Sequence, residues 1–190
     1  LNTANMCGIA GIFNFSMHPV QRIHHKLNVM NDLLKHRGPD GKGVWTAKEE
    51  FIGLAHQRLS IIDLSDAATQ PMTGQDGNTL VFNGEIYNYI ELNESYTKSW
   101  KFESRSDSES ILASYSREGV DCLQRLRGMF AFSLWDNKKK QLFCARDRFG
   151  IKPFYYYISD NTFYFASEAK ALLPFVPSIK TNPEALAEYL

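Results

Sequence analysis

A chain of 190 residues, 44% of them apolar, can bury one large core, which excludes a disordered polymer. Its 21 basic side chains balance 21 acidic ones, so net charge offers no pull toward nucleic acid or an anionic membrane. No run approaches eighteen apolar residues and no charged-then-apolar leader opens the chain. Five histidines and three cysteines show no metal-ligand spacing, and an odd cysteine count favours a reducing, cytoplasmic setting over a disulfide scaffold.

Leu1 to Asn5 has no pattern and reads as an extension, a tag remnant or a removable segment in front of Met6. Cys7 to Phe15 reads as a buried strand, with Gly8 and Gly11 leaving room for another backbone or a substrate. From Pro19 the period changes: Val20, Ile23, Leu27, Met30 and Leu34 form the stripe of an amphipathic helix. His24 and His25 are adjacent on that helix and cannot face one metal together. Arg37-Gly38-Pro39-Asp40-Gly41 ends the helix.

Gly43 to Ala47 and Phe51 to Ser60 read as strands, the second carrying His56-Gln57-Arg58. An arginine so deep in an apolar run needs an internal carboxylate or an open pocket holding an anion. Ala68 to Asn78 reads as loop. Thr79 to Phe82 is a strand running into Asn83-Gly84, a dipeptide typical of a tight hairpin turn. An asparagine amide beside a glycine N–H could also serve as an oxyanion hole.

Ile90 to Tyr96 reads as a short helix. Ser106 is placed to cap the next one, with Glu109 at the capping-box position and Asp107 in the first turn. Asp107 is explained by capping or by holding a substrate ammonium. Val120, Leu123 and Leu126 suggest another short helix. Met129 to Trp135, Leu142 to Ala145, Phe154 to Ile158 and Thr162 to Ala166 read as a meander of antiparallel strands. Asn182-Pro183-Glu184 opens a last helix. Hairpin-like connections favour an α+β layered fold over a doubly wound sheet, and no glycine-rich phosphate loop is present.

Cys7 is the strongest nucleophile type among these candidates, if it is partly thiolate; a buried structural cysteine is the competing reading. Placed first in a mature chain, it would carry its own base. A free α-amine has a pKa of about 7.7–8.0, close to the thiol's about 8.5, and loses its basicity once acylated.

The ordered motifs Met6-Cys7-Gly8-Ile9-Ala10-Gly11, Arg37 to Gly41, His56 to Leu64, Gln70-Pro71-Met72 and Phe82 to Asn88 closely resemble a known family. So do Ser106 to Glu109, Gly128 to Phe132, Ala145 to Pro153 and Ser167 to Leu172. The resemblance is to the glutaminase domain of asparagine synthetases, within the class II glutamine amidotransferases and the N-terminal nucleophile hydrolase superfamily. It implies a four-layer αββα sandwich. It implies that Cys7 attacks the side-chain amide of glutamine, and that Asn83 and Gly84 form the oxyanion hole. Arg58 would grip the glutamine carboxylate, and Asp107 its ammonium, with Glu85 and the backbone near Ile61 in support.

The resemblance further implies residues 1–6 as an extension and 7–190 as the amidotransferase domain, ahead of a C-terminal ATP-using synthetase domain in the same polypeptide. ATP and Mg belong to that domain; the glutaminase half needs no metal or other cofactor. Glutamine is the expected substrate, a homodimer is left open, and neither nucleic acid nor membrane is expected. Related enzymes pass ammonia to sugars, peptides or other carboxylates, and a non-catalytic module is a further reading that the retained Cys7, Arg58, Asn83 and Asp107 oppose. An autoproteolytic hydrolase akin to penicillin acylase fits the motifs less well. The charged loop Arg146 to Lys152 and the last helix are expected either to face the synthetase domain or, for the loop, to hold structural salt bridges.

Overall fold

The computed structural model describes residues 6–59 and 65–179, together with residues 184 and 187. Strands β1 (Gly8–Asn14), β2 (Gly41–Thr46), β3 (Ile52–Arg58), β8 (Tyr155–Ser159) and β9 (Thr162–Ala166) form one sheet in the order β2-β3-β1-β9-β8. Strands β4 (Met72–Thr73), β5 (Thr79–Ile86), β6 (Gly128–Asp136) and β7 (Gln141–Arg146) form a second, in the order β4-β5-β6-β7. Neighbouring strands in both sheets run antiparallel.

Side-chain alternation along the strands creates the layers. Ile9 and Phe13 of β1, Ile52 and Leu54 of β3, Val81 of β5, Ala131 and Trp135 of β6 and Phe165 of β9 share one cluster between the sheets. The intervening Ala10, Ile12 and Ala55 point the other way. There helix α1 (Ile23–Leu33) lays down Ile23, Leu27 and Met30, flanked by Val20 and Leu34. On the far side, Leu80, Phe82, Ile86, Phe132 and Leu134 pack against α2 (Tyr89–Tyr96) and α3 (Asp107–Glu118). The result is the four-layer αββα sandwich. Fully burying each large apolar side chain contributes roughly 1.5–3 kcal/mol, so these three clusters, rather than any single ion pair, carry the fold. Among the described residues, no helix is long and apolar enough to cross a membrane.

Four local expectations differ from the structure. Asn83-Gly84 is not a turn: β5 runs through it to Ile86, with Gly84 opposite Phe130. The close approach of the Met129 carbonyl leaves no space for a Cβ at Gly84, so the glycine serves strand packing rather than chain reversal. Glu109 forms no capping box. Ser106 caps α3 by accepting from the Ser108 N–H at 3.2 Å, whereas the Glu109 carboxylate turns back to Trp100 Nε1 and the N–H groups of Glu103 and Ser104. Part of the presumed loop before Asn78 pairs as β4 with Thr79 and Leu80. The four late strands are two hairpins in different sheets, because the chain crosses between sheets from Arg146 to Tyr155. Of the last helix, Glu184 and Ala187 are helical, while Asn182 and Pro183 lie outside the described residues.

Candidate active site

Alternation also decides which polar side chains meet. Cys7 keeps the parity of Ile9 and Phe13, and Arg58 that of Ile52 and Leu54. Each stands one residue beyond the paired Gly8 and Gln57. Asn83 and Glu85 keep the parity of Val81. These four side chains therefore come from the inner faces of the two sheets.

Cys7 leads directly into β1 and is half-buried. Its Sγ accepts the Leu59 N–H at 3.3 Å and lies 3.5 Å from the Leu59 carbonyl oxygen. Burial pushes the thiol pKa up. The Leu59 N–H pulls it down, Asp107 opposes ionisation, and Lys152 and Arg37 favour it.

The backbone of β5 is arranged unusually for an inner strand. Phe130 gives its carbonyl to the Asp147 N–H and its own N–H to Asp147 Oδ2, both on the β7 side. Its antiparallel partner Gly84 then belongs to a non-hydrogen-bonded pair, and the Gly84 N–H points out of the opposite edge of β5. The Phe82 and Ile86 N–H groups share that edge and are taken by Gln70 Oε1 at 2.6 Å and Asp107 Oδ2 at 2.9 Å. Beside Gly84, Asn83 is 1% exposed, and its Nδ2 has no hydrogen-bond partner among the described residues. Such a buried orphan donor costs about 1–3 kcal/mol unless something binds there.

Asp107 occupies the first position of α3 and is 5% exposed. Burial raises its pKa to about 6; hydrogen bonds from backbone N–H groups act against this, and the nearby Glu85 charge adds to it. A carboxylate raised in this way gains from any cation delivered to it. Arg58 closes β3 and donates to the Ser65 carbonyl at 3.0 Å, with a further interaction besides. Ile61 lies outside the described residues.

Residues that sequence reasoning did not assign support this frame. Arg37 is buried; its Nε donates to the Cys7 carbonyl at 3.1 Å and its guanidinium pairs with Glu168 at 2.9 Å. His56 is buried between the sheets and, with Phe82 O as acceptor at 3.2 Å, carries its proton on Nε2. Burial lowers its pKa to about 4, which keeps it neutral at pH 7. Gln70 bridges Phe82 to Ser108 Oγ, so it joins β5 to the start of α3. The motifs containing Arg37, His56 and Gln70 were visible in sequence, but their partners are distant in the chain, which no local pattern reveals.

The groups supply a partly buried thiol, an unpartnered buried amide donor beside a strand-edge N–H, and a buried carboxylate. A family model for a glutamine amidotransferase domain matches residues 6–190. A putative glutamine-hydrolysing asparagine synthetase 2 of Methanocaldococcus jannaschii is 42% identical over 185 residues, covering 88% of this chain and 35% of that protein. Glutamine-hydrolysing asparagine synthetase 1 of Bacillus subtilis is 41% identical over 190 residues, covering 97% of this chain and 29% of that protein. The chain thus spans about a third of the length of these curated relatives. Among solved structures, glutamine phosphoribosylpyrophosphate amidotransferase from B. subtilis, complexed with ADP and GMP, superposes with a TM-score of 0.73. The match covers 87% of this chain and 43% of that one at 20% identity, a likeness of fold alone.

Proposed function

The chain belongs to the glutamine amidotransferase domain family, and from that premise we propose that it hydrolyses the side-chain amide of glutamine to glutamate and ammonia through a cysteinyl thioester. With Cys7 as the first residue, its α-amine takes the thiol proton, directly or through one water. The sulfur attacks the amide carbon of glutamine, and the carbonyl electrons move onto oxygen. Asn83 Nδ2 and the Gly84 N–H stabilise that oxyanion. Collapse expels ammonia, which leaves with a proton from the α-ammonium. Water, deprotonated by the same amine, then attacks the thioester and releases glutamate with the free thiol.

Arg58 holds the glutamine α-carboxylate through its planar fork of donors. Asp107 takes the α-ammonium, supported by Glu85 and the backbone near Ile61. The observation that carries this reading is the pairing of opposite deficits among the described residues: an Asn83 donor without an acceptor and a buried Asp107 carboxylate whose pKa burial raises to about 6. A glutamine in its tetrahedral state supplies both missing partners.

We propose further that the ammonia passes to a linked synthetase domain that converts aspartate to asparagine; that both relatives above are named glutamine-hydrolysing asparagine synthetases supports this reading. ATP and Mg would serve that domain and not the residues described here. The test compares glutamate release by a chain beginning at Cys7 with release by a chain verified by mass spectrometry to retain Leu1. Activity confined to the first supports the amine as base; equal activity in both overturns it. Loss of activity in Cys7→Ala is required for the thioester route.

A further inference from the structure

The loop from Arg146 to Lys152 carries more than a domain-facing surface. Its centre is Asp147, whose Oδ1 accepts the Phe149 and Ile151 N–H groups and whose Oδ2 accepts those of Lys152 and Phe130. Arg146 Nε donates to the Lys152 carbonyl at 2.6 Å. These bonds turn Phe149 outward, 90% exposed, and drive Lys152 inward, 5% exposed. They also tie the loop to Phe130, the residue opposite Gly84. The Lys152 ammonium ends at Met6 Sδ, 2.8 Å away, directly beside the start of the nucleophile strand. A thioether is a weak acceptor for a buried ammonium, so this contact does not account for the burial of the charge.

The charged groups facing this point come from four other elements. Cys7 stands at the head of β1, Glu85 on β5, Asp107 at the start of α3, and Arg37 in the short 3-10 turn after α1. Asp147 contributes from the loop itself. Burial lowers the Lys152 pKa from its ordinary value, and Arg37 acts the same way, while Glu85, an ionised Cys7 and Asp147 favour the ammonium. Lys152 in turn favours the thiolate.

Resting on the glutaminase reading above, we infer that Lys152 is a positioning residue for that reaction, a fixed buried cation that holds the thiol and the α-amine of Cys7 in their reactive forms. A cation near the thiol stabilises S⁻. A cation near the α-amine lowers its pKa, so more of it is free base at neutral pH, and the stabilised S⁻ offsets its weaker basicity when it takes the thiol proton. Removal of Met6 takes away the Lys152 contact and frees the α-amine of the adjoining residue, Cys7. The cation is thus poised for the mature amino terminus rather than for the unprocessed one.

The test uses chains beginning at Cys7, with Lys152 intact or changed to Gln, Met or Arg. Cys7 alkylation by iodoacetamide is followed by mass spectrometry from pH 5 to 9.5, without glutamine. In Lys152→Gln and Lys152→Met the midpoint of the rate profile is expected to rise by about one pH unit, with Lys152→Arg near the parent. The acidic limb of kcat/KM for glutamine should rise in the same two variants. Met follows the shape of the lysine stem without burying a polar group, so it serves if the Gln variant does not fold. Rates that fall equally at every pH with an unmoved midpoint would make Lys152 merely structural and overturn the inference. Because alkylation needs no glutamine, a parent chain that alkylates but releases no glutamate would count against the glutaminase reading and leave the Lys152 comparison readable.

Discussion

Gly84 lies directly across from Phe130, and the two do not hydrogen-bond to each other. Asp147 takes both backbone groups of Phe130 from the other side, so the Gly84 N–H emerges at the edge of β5. One structural carboxylate therefore sets the direction of Phe130, anchors the loop of Lys152 and leaves the Gly84 N–H beside the Asn83 amide. Although burial disfavours its charge, hydrogen bonds from N–H groups hold the Asp147 carboxyl below its usual range, so it is ionised and accepting throughout neutral pH.

Gly84→Ala is expected to lower stability by roughly 1–3 kcal/mol and to abolish most glutamine hydrolysis. An added Cβ would lie 2.7 Å from Phe130 Cα and closer still to the Met129 carbonyl, both backbone atoms that cannot swing aside. Denaturant midpoints and glutamate release measure the two effects. A stable, active alanine variant would show that β5 and β6 separate more readily than the packing implies.

Asn83→Ala separates binding from folding. Removing the Asn83 amide relieves the cost of the orphan donor but loses buried packing of similar size, so stability should change by less than about 1 kcal/mol. Hydrolysis should fall by roughly 10²–10³, the usual loss of one oxyanion donor. Matched losses in folding and turnover would sink the oxyanion role.

Asp107→Asn should stabilise the ligand-free protein while crippling glutamine binding. The folded carboxyl has its pKa raised from 3.8 to about 6, so the folded state holds the proton longer than the unfolded one. Ionisation then costs stability as pH rises from about 4 to 6, and the full penalty persists above 6. The asparagine variant escapes it. Its advantage should be near zero at pH 3.5 and reach about 1–3 kcal/mol at pH 7. Chemical denaturation across that range gives the answer, and an advantage that is constant with pH would contradict it. In the parent, KM for glutamine should rise as pH falls through about 6, since only the carboxylate pairs with the substrate ammonium.

Glu168→Gln tests the support of the nucleophile strand. Burial works against the Glu168 charge, but hydrogen bonds from Arg37, His36 and Lys170 hold its pKa at about 2, below its ordinary value of 4.5. Its contribution is therefore complete above about pH 4.5 and disappears as pH falls toward 2. The variant should lose about 1–3 kcal/mol at pH 7 and little at pH 2.5. Because Arg37 also holds the Cys7 carbonyl, kcat should fall with KM for glutamine nearly unchanged. A purely KM effect would place Glu168 elsewhere in the chemistry.

Much of the fold was legible in local patterns. Short apolar runs marked β1, β3, β5 and β6, and the stripe of Ile23, Leu27 and Met30 marked α1. The ordered motifs also singled out Cys7, Arg58, Asn83, Gly84 and Asp107 as a group. Asn83-Gly84 misled as a turn because its composition suits a hairpin equally well; only the passing Met129–Phe130 backbone decides for a strand. Glu109 had the right spacing for a capping box, yet the N–H groups of Glu103 and Ser104 just upstream and the Trp100 indole hold its carboxylate. The inward turn of Lys152 was invisible in a loop whose charges read as facing a further domain or holding structural salt bridges.

By itself, then, the sequence determined most element types, the apolar faces and which side chains are candidates for the chemistry, because local residue patterns express local backbone geometry. Tertiary structure alone decided which edge the Gly84 N–H leaves from, why Asp107 is uncompensated and where the Lys152 ammonium ends. Peptide direction and desolvation depend on atoms far along the chain: Asp147 acting on Phe130, Ile86 on Asp107, and Met6 against Lys152.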